Sequence, residues 1–263
     1  MGVAFDGSNV WITNSGAANI TKVRPGDGGN LGTFAAGVGA SAVACDGVNV
    51  WITNTSGNTV REILGASGAF ENSIGVGTSP EGIAFDGSSI WVANNGSNNV
   101  TRIQASTGVV TGTITVGTSP VGLAFDGANI WVTNSGSNNV TELRASDGAV
   151  LGTFNVGMGP SGVAFDGTNI WVANSLGGSV TELLASDGSL VNSFPAGPAP
   201  TNIAFDGANL WVTNSSAGTV TELRASDGST LGTFNVGNNP QGVAFDGAFI
   251  WVINQADGTA SKL

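Results

Sequence analysis

A tryptophan every 40 residues, an Asp-Gly pair five residues before each one, and apolar runs too short for helices predict one fold class. It is an all-β, seven-bladed β-propeller of 40-residue, four-stranded repeats, with a last blade lacking its fourth strand. The tryptophans are Trp11, Trp51, Trp91, Trp131, Trp171, Trp211 and Trp251, and the paired aspartates run from Asp6 to Asp246 in the same phase. No insertion breaks that phase. Residues 126–165 match residues 206–245 at 30 of 40 positions, so the units must be nearly superimposable. The chain therefore reads as a single domain over 1–263, with blades starting near residues 2, 42, 82, 122, 162, 202 and 242.

The unit beginning at Gly162 shows each element in turn. Its first run, Gly162-Val163-Ala164-Phe165, ends at Asp166-Gly167, and its second, Asn169 to Asn174, carries Trp171. The third, Ser179 to Leu184, is closed by Ser186-Asp187-Gly188, and the fourth, Leu190 to Phe194, leads into Gly197-Pro198-Ala199-Pro200. Short runs rich in Val, Ile, Trp, Phe and Thr read as strands. Asp-Gly between them is a hairpin signal, because glycine accepts the positive φ that such turns demand. Neighbouring blades cover both faces of a propeller blade, so a strand needs no polar face, and Ile170-Trp171-Val172 has none. In the first strand Gly162 and Ala164 share one face and Val163 and Phe165 the other. This pattern predicts that each Trp packs on a neighbour's Gly/Ala surface. A parallel β-solenoid is the rival architecture, but its coils are shorter and would not need two Asp-Gly hairpins per unit.

Composition narrows the function. The net charge is −11, with only 7 Lys and Arg and no His, which argues against nucleic acid and against an anionic membrane surface. No apolar run approaches the length of a membrane-spanning helix, so no membrane insertion is expected. The 41% of hydrophobic residues and the seven Trp speak against disorder despite the high glycine content. The chain enters the repeat directly at Met1-Gly2-Val3, with no signal peptide expected in it. Cys45 stands where the other units have Phe, so it reads as a small buried apolar substitute rather than a reactive thiol.

The run Ile130-Trp131-Val132-Thr133-Asn134-Ser135-Gly136-Ser137-Asn138-Asn139-Val140-Thr141 resembles the YVTN-type β-propeller repeat, with Trp in place of Tyr. Pro120-Val121-Gly122-Leu123-Ala124-Phe125-Asp126-Gly127 is similar to the first strand of that family and of NHL and streptogramin-lyase-like propellers. The resemblance implies the architecture over the whole chain. Streptogramin lyases use histidine and carboxylate chemistry with a divalent metal. A chain without His cannot carry that site over, so the expectation is no enzyme, no catalytic residue, no metal and no cofactor.

Where the copies differ, function has room. On the rim carrying the loops after the second strands, the channel-entrance residues are Met1, Ser41, Glu81, Val121, Ser161, Thr201 and Gln241. Of these, Ser41, Glu81, Ser161, Thr201 and Gln241, with Asp257 from a neighbouring loop, are the candidate binding residues. Only Glu81 and Asp257 are charged there, too few for general acid–base or metal chemistry. The opposite rim is acidic. Its hairpin aspartates could ring a hard cation, but single carboxylates spread around a ring read better as caps of their own turns. The seven Trp could be sugar platforms, yet each sits mid-strand, a core position. Third-strand charges (Arg61, Glu62, Arg102, Glu142, Arg144, Glu182, Glu222, Arg224) read as solvated pairs.

Copy seven stops at Leu263 in its third strand, and the ends read as cut from a longer repeat array or as those of a protein that dispenses with one outer strand. The open strand Thr259, Ala260, Ser261, Lys262, Leu263 is the expected assembly edge, for self-association or a protein partner. The expected function is a non-catalytic binding or self-assembling module of an exported or cell-surface bacterial protein. The alternatives are a glycan-binding propeller and a divergent streptogramin-lyase or lactonase-like enzyme.

Overall fold

The computed structural model describes residues 1–263. Its strands form seven antiparallel sheets, six of four strands and a last one of three, in simple meander order. This is the seven-bladed β-propeller that the repeat predicts. By compactness the chain divides into Met1–Pro120, with blades 1 to 3, and Val121–Leu263, with blades 4 to 7.

Blade 5 is representative. Its strands are Pro160–Phe165, Asn169–Asn174, Ser179–Leu184 and Leu190–Pro195. The Asp166-Gly167 turn joins the first pair, with Gly167 at φ 101°, a conformation that a side chain would oppose. Asp166 Oδ1 accepts the backbone N–H groups of Thr168 and Asn169 at 2.8 and 2.7 Å. Each hairpin aspartate therefore caps its own turn.

The tryptophans are core, as expected, but their packing surface is different from the expected one. In the first unit Trp11 meets Val43, Val50, Ile52 and Ile63 of blade 2. In the second unit Trp171 meets Ile203, Leu210, Val212 and Leu223 of blade 6. The partner surface is thus the aliphatic face of the next blade. The small residue serves the indole's own blade: Ala164 is the Cα partner of Trp171, and its short side chain leaves room for the ring beside it. Glycine at the head of the first strand has another task. A Cβ on Gly2 would lie 2.9 Å from the Ser41 carbonyl oxygen, and one on Gly162 2.9 Å from that of Thr201. The first strands of adjacent blades approach too closely for a side chain there.

A bulge interrupts the pairing of first and second strands, for example between Pro160 and Val163. A second-strand threonine completes the broken ladder. Thr133 Oγ1 accepts from the Gly122 N–H at 2.8 Å and donates to the Ser161 carbonyl of blade 5 at 2.6 Å. Thr13 relates Gly2 to Ser41 of blade 2 in the same way. Blade 5 has Ala173 at this position, and Ser161 Oγ donates to the Thr201 carbonyl of blade 6 instead, at 2.9 Å.

The third-strand glutamates correct the sequence reading. Glu62, Glu142 and Glu182 are buried, and none makes an ion pair with a third-strand arginine. Each shares a sheet face with its blade's Trp, its Cα partner, so the next blade covers it. Arg144 and Arg224, the last residues of their third strands, do form solvated pairs, with Asp147 and Asp227 of the second turns at 3.0 and 3.1 Å, and Arg24 meets Asp27 in the same way at 2.7 Å. Both partners are about half exposed, so each pair contributes little.

Candidate functional site

The residues expected at the channel entrance stand at the start of the first strands, where backbone from adjacent blades meets. Much of their polarity is spent there. The carbonyls of Ser41, Glu81, Ser161 and Gln241 each accept the threonine hydroxyl of the preceding blade, at 2.6, 3.0, 2.6 and 3.4 Å. Thr201 Oγ1 donates to the Pro240 carbonyl at 3.1 Å and meets Thr213 Oγ1 at 2.9 Å. Gln241 Nε2 donates to Asn239 Oδ1 at 2.7 Å. Burial raises the Glu81 carboxyl above the usual range, and the Met1 amino group partly offsets this.

Asp257 is a loop clamp. Its Oδ2 accepts the Asn238 backbone N–H at 2.6 Å and its Oδ1 the Asn238 Nδ2 at 2.9 Å. Those two donors hold its carboxyl below the usual range. Asp257 thereby ties the loop after the second strand of blade 7 to the connection that enters that blade.

Sequence reasoning missed the second oxygen of the hairpin aspartates. In every blade it accepts the indole N–H of the Trp five residues on, at 2.7 to 2.8 Å. The constant spacing of Asp and Trp was the available signal. For Asp6, Asp86, Asp206 and Asp246, burial works against ionisation, but the indole and backbone donors outweigh it and leave the carboxyl below its ordinary value. The same clasp removes the indole N–H from any sugar-binding role, and Trp11, Trp51, Trp91, Trp131 and Trp171 are fully buried.

Cys45 packs beside Trp11 against the first-unit core. Burial, with the Asp6 and Asp46 carboxylates, pushes its thiol up to about 12, so it is protonated at neutral pH.

The strand Thr259–Lys262 pairs with Ile250–Asn254 on one side and is the last of its sheet. Thr259 and Ala260 are exposed. In the other blades the position of Ala260 holds Ile20, Val60, Val100, Val140, Val180 and Val220, all fully buried, each paired with a fourth-strand residue such as Phe154 or Phe234. Leu263 exchanges both backbone bonds with Ile250, at 3.0 and 2.9 Å. By the alternation of an antiparallel ladder, the N–H of Ala260 points away from the sheet.

The sequence matches no family model and no curated protein. Among solved structures, Kuenenia stuttgartiensis hydrazine synthase shares the fold with a TM-score of 0.85 at 20% identity, over 99% of this chain and 94% of that one. A streptogramin B lyase gives 0.85 at 16% identity, over 99% and 91%. Virginiamycin B lyase from Staphylococcus aureus gives 0.81 at 22% identity, over 97% and 92%. The class is therefore the seven-bladed propeller, and within it the chain is similar in fold to the streptogramin lyases. At these identities the likeness concerns fold alone.

Proposed function

We propose that this chain is a non-catalytic, self-assembling propeller module built on YVTN-type repeats, belonging to an exported or cell-surface bacterial protein. The observation that carries the reading is the third strand of blade 7. It leaves exposed the residue position that six other blades bury under a fourth strand. An edge with outward backbone donors recruits another strand, from a second copy of this chain or, in a longer protein, from the chain that follows. The polar groups of both rims support the reading from the other side, because turn caps, indole clasps and blade-to-blade bonds already use them.

The fold likeness to streptogramin lyases favours a second reading, a divergent lyase or lactonase-like enzyme. Metal-dependent turnover of a streptogramin or lactone would support it. The glycan-binding reading loses its stacking platforms to the core.

Sedimentation velocity over a range of concentrations tests the proposal. The native chain is expected to self-associate. Ala260→Pro, which removes the outward N–H at an edge position where proline is tolerated, is expected to weaken association at least severalfold. A native chain that stays monomeric at every concentration overturns the reading.

A further inference from the structure

The groove between blades 1 and 2 and the groove between blades 5 and 6 use the same positions of the repeat, yet they differ in size. The first measures about 340 Å³ and the second about 590 Å³. Lys22 reaches into the first, where its Nζ donates to the Gly65 carbonyl at 2.7 Å and lies 5.1 Å from the centre of the Trp11 ring. Val48 narrows the first groove further, where the second has Ala208. Phe205 lines the second groove, whereas its counterpart Cys45 packs into the core.

The polar lining of the second groove is partly unspent. Five blades carry asparagine at the start of the second strand: Asn9, Asn49, Asn129, Asn169 and Asn209. Four of them donate through Nδ2, to Asp6 at 3.5 Å and to Glu62, Glu142 and Glu222 at 2.7, 2.8 and 2.9 Å. Asn169 alone has a side chain free of hydrogen bonds, although Asp166 holds its backbone N–H. Asn209 spends its Nδ2 on Glu222 and keeps its Oδ1. Arg224 uses Nη1 on Asp227 and Ser229, both at 3.1 Å, and keeps Nε and Nη2. All three residues line the groove.

Charge narrows what fits. The two charged residues of the lining, Asp166 and Arg224, are opposite in sign and already engaged. Asp166 Oδ1 accepts two backbone N–H groups and its Oδ2 the Trp171 indole. Neither a cation nor an anion finds an unpaired counter-charge there. What remains is an amide able to donate and accept, an amide oxygen, guanidinium donors and the half-buried ring of Phe205. A hydroxyl both donates and accepts, so a polyol ring satisfies such a mixed set without bringing charge. Its C–H face suits the aromatic surface, and a few polar groups around an aromatic ring are the usual make-up of a small-molecule site.

We propose that the groove between blades 5 and 6 binds a neutral pyranose ring, with Asn169, Asn209 and Arg224 on its hydroxyls and Phe205 against its apolar face. The buried tryptophans take no part, and the site is independent of the blade 7 edge and of assembly through it. The groove between blades 1 and 2 is the internal comparison, because Lys22 already fills part of it.

The test is an NMR titration of the native chain with the methyl glycosides of glucose, galactose, mannose and N-acetylglucosamine, followed by the asparagine side-chain amide signals. Asn169→Ala and Asn209→Ala assign the two signals of the groove by their loss. Both are expected to shift saturably with at least one glycoside, while the Asn9 signal stays in place. Glycerol, which has hydroxyls but no ring, is expected to move neither, and so are n-butylammonium and acetate. In Asn169→Ala, read from the Asn209 signal, binding is expected to weaken about tenfold, the loss of hydrogen bonds to a hydroxyl. Phe205→Leu, which keeps the core filled, is expected to weaken it severalfold, with the indole signals still dispersed in both variants. No saturable shift with any of the glycosides, an equal shift of Asn9, or undiminished affinity in Asn169→Ala overturns the proposal. The preferred glycoside and its β-linked disaccharide then separate the sources. A tighter disaccharide assigns the site to a glycan chain, and equal affinity assigns it to a single sugar.

Discussion

At the scale of single residues, two side chains do most of the joining. The hairpin aspartate holds its turn with one oxygen and its indole with the other, and charge-assisted bonds of this kind are the stronger sort. The second-strand threonine closes a bulge in its own blade and bonds the next one. Thr133→Val keeps the shape and removes both bonds, leaving the Gly122 N–H and the Ser161 carbonyl without that partner. The expected loss is about 1–3 kcal/mol, seen as a thermal midpoint lower by several degrees. An unchanged midpoint would mean that the relay is not a structural joint.

At the scale of elements, the loop after each second strand needs one left-handed residue before the third strand. Glycine supplies it at Gly178, Gly218 and Gly258, and asparagine at Asn58, Asn98 and Asn138. Blade 1 has Ala18 at φ 52°. Asparagine tolerates this region better than alanine. Asn58 and Asn138 also accept, through Oδ1, the N–H groups of Ser79 and Gly159, whose blade 1 counterpart is Gly39. Ala18→Asn is therefore expected to stabilise the chain by about 1 kcal/mol in denaturant melts. A neutral or destabilising result would show that the blade 1 loop has its own geometry.

Strands, hairpins and their phase were legible because Asp-Gly and the Trp period have local causes. The face on which Trp packs was not legible, because it depends on how one blade lies on the next. The buried Glu62, Glu142 and Glu182 were misread for the same reason. A charge in a strand looks solvated until the neighbouring blade that covers it is known. The candidate site was legible only in part. The edge Thr259 to Leu263 follows from counting strands, whereas the aspartate clasp on each indole and the threonine bonds between blades emerge only when the side chains are placed.

At the scale of the whole molecule, charge sets the pH response. Burial, and for most a nearby carboxylate, raises the carboxyls of Glu62, Glu81, Glu142, Glu182 and Glu222 in the folded state. The folded chain then binds more protons than the unfolded one between the unfolded value, about 4.3, and the raised values. Stability therefore rises as pH falls through that window, and relief of the net charge of −11 adds to it. The depressed aspartates act oppositely. Their stabilisation is complete above about 3.9 and is lost as pH falls through their folded values. Thermal melts should show maximal stability near pH 4–5 rather than at neutrality. A monotonic decline from pH 7 downward would contradict this.

Assembly through blade 7 belongs to the same scale, and amide hydrogen exchange at Ala260 tests it most directly. The outward N–H of Ala260 should exchange fast in dilute protein and become protected as concentration rises, while the already paired Ser261 changes little. Equally fast exchange of Ala260 at all concentrations, in a sample that has associated, would place the contact elsewhere and contradict the account.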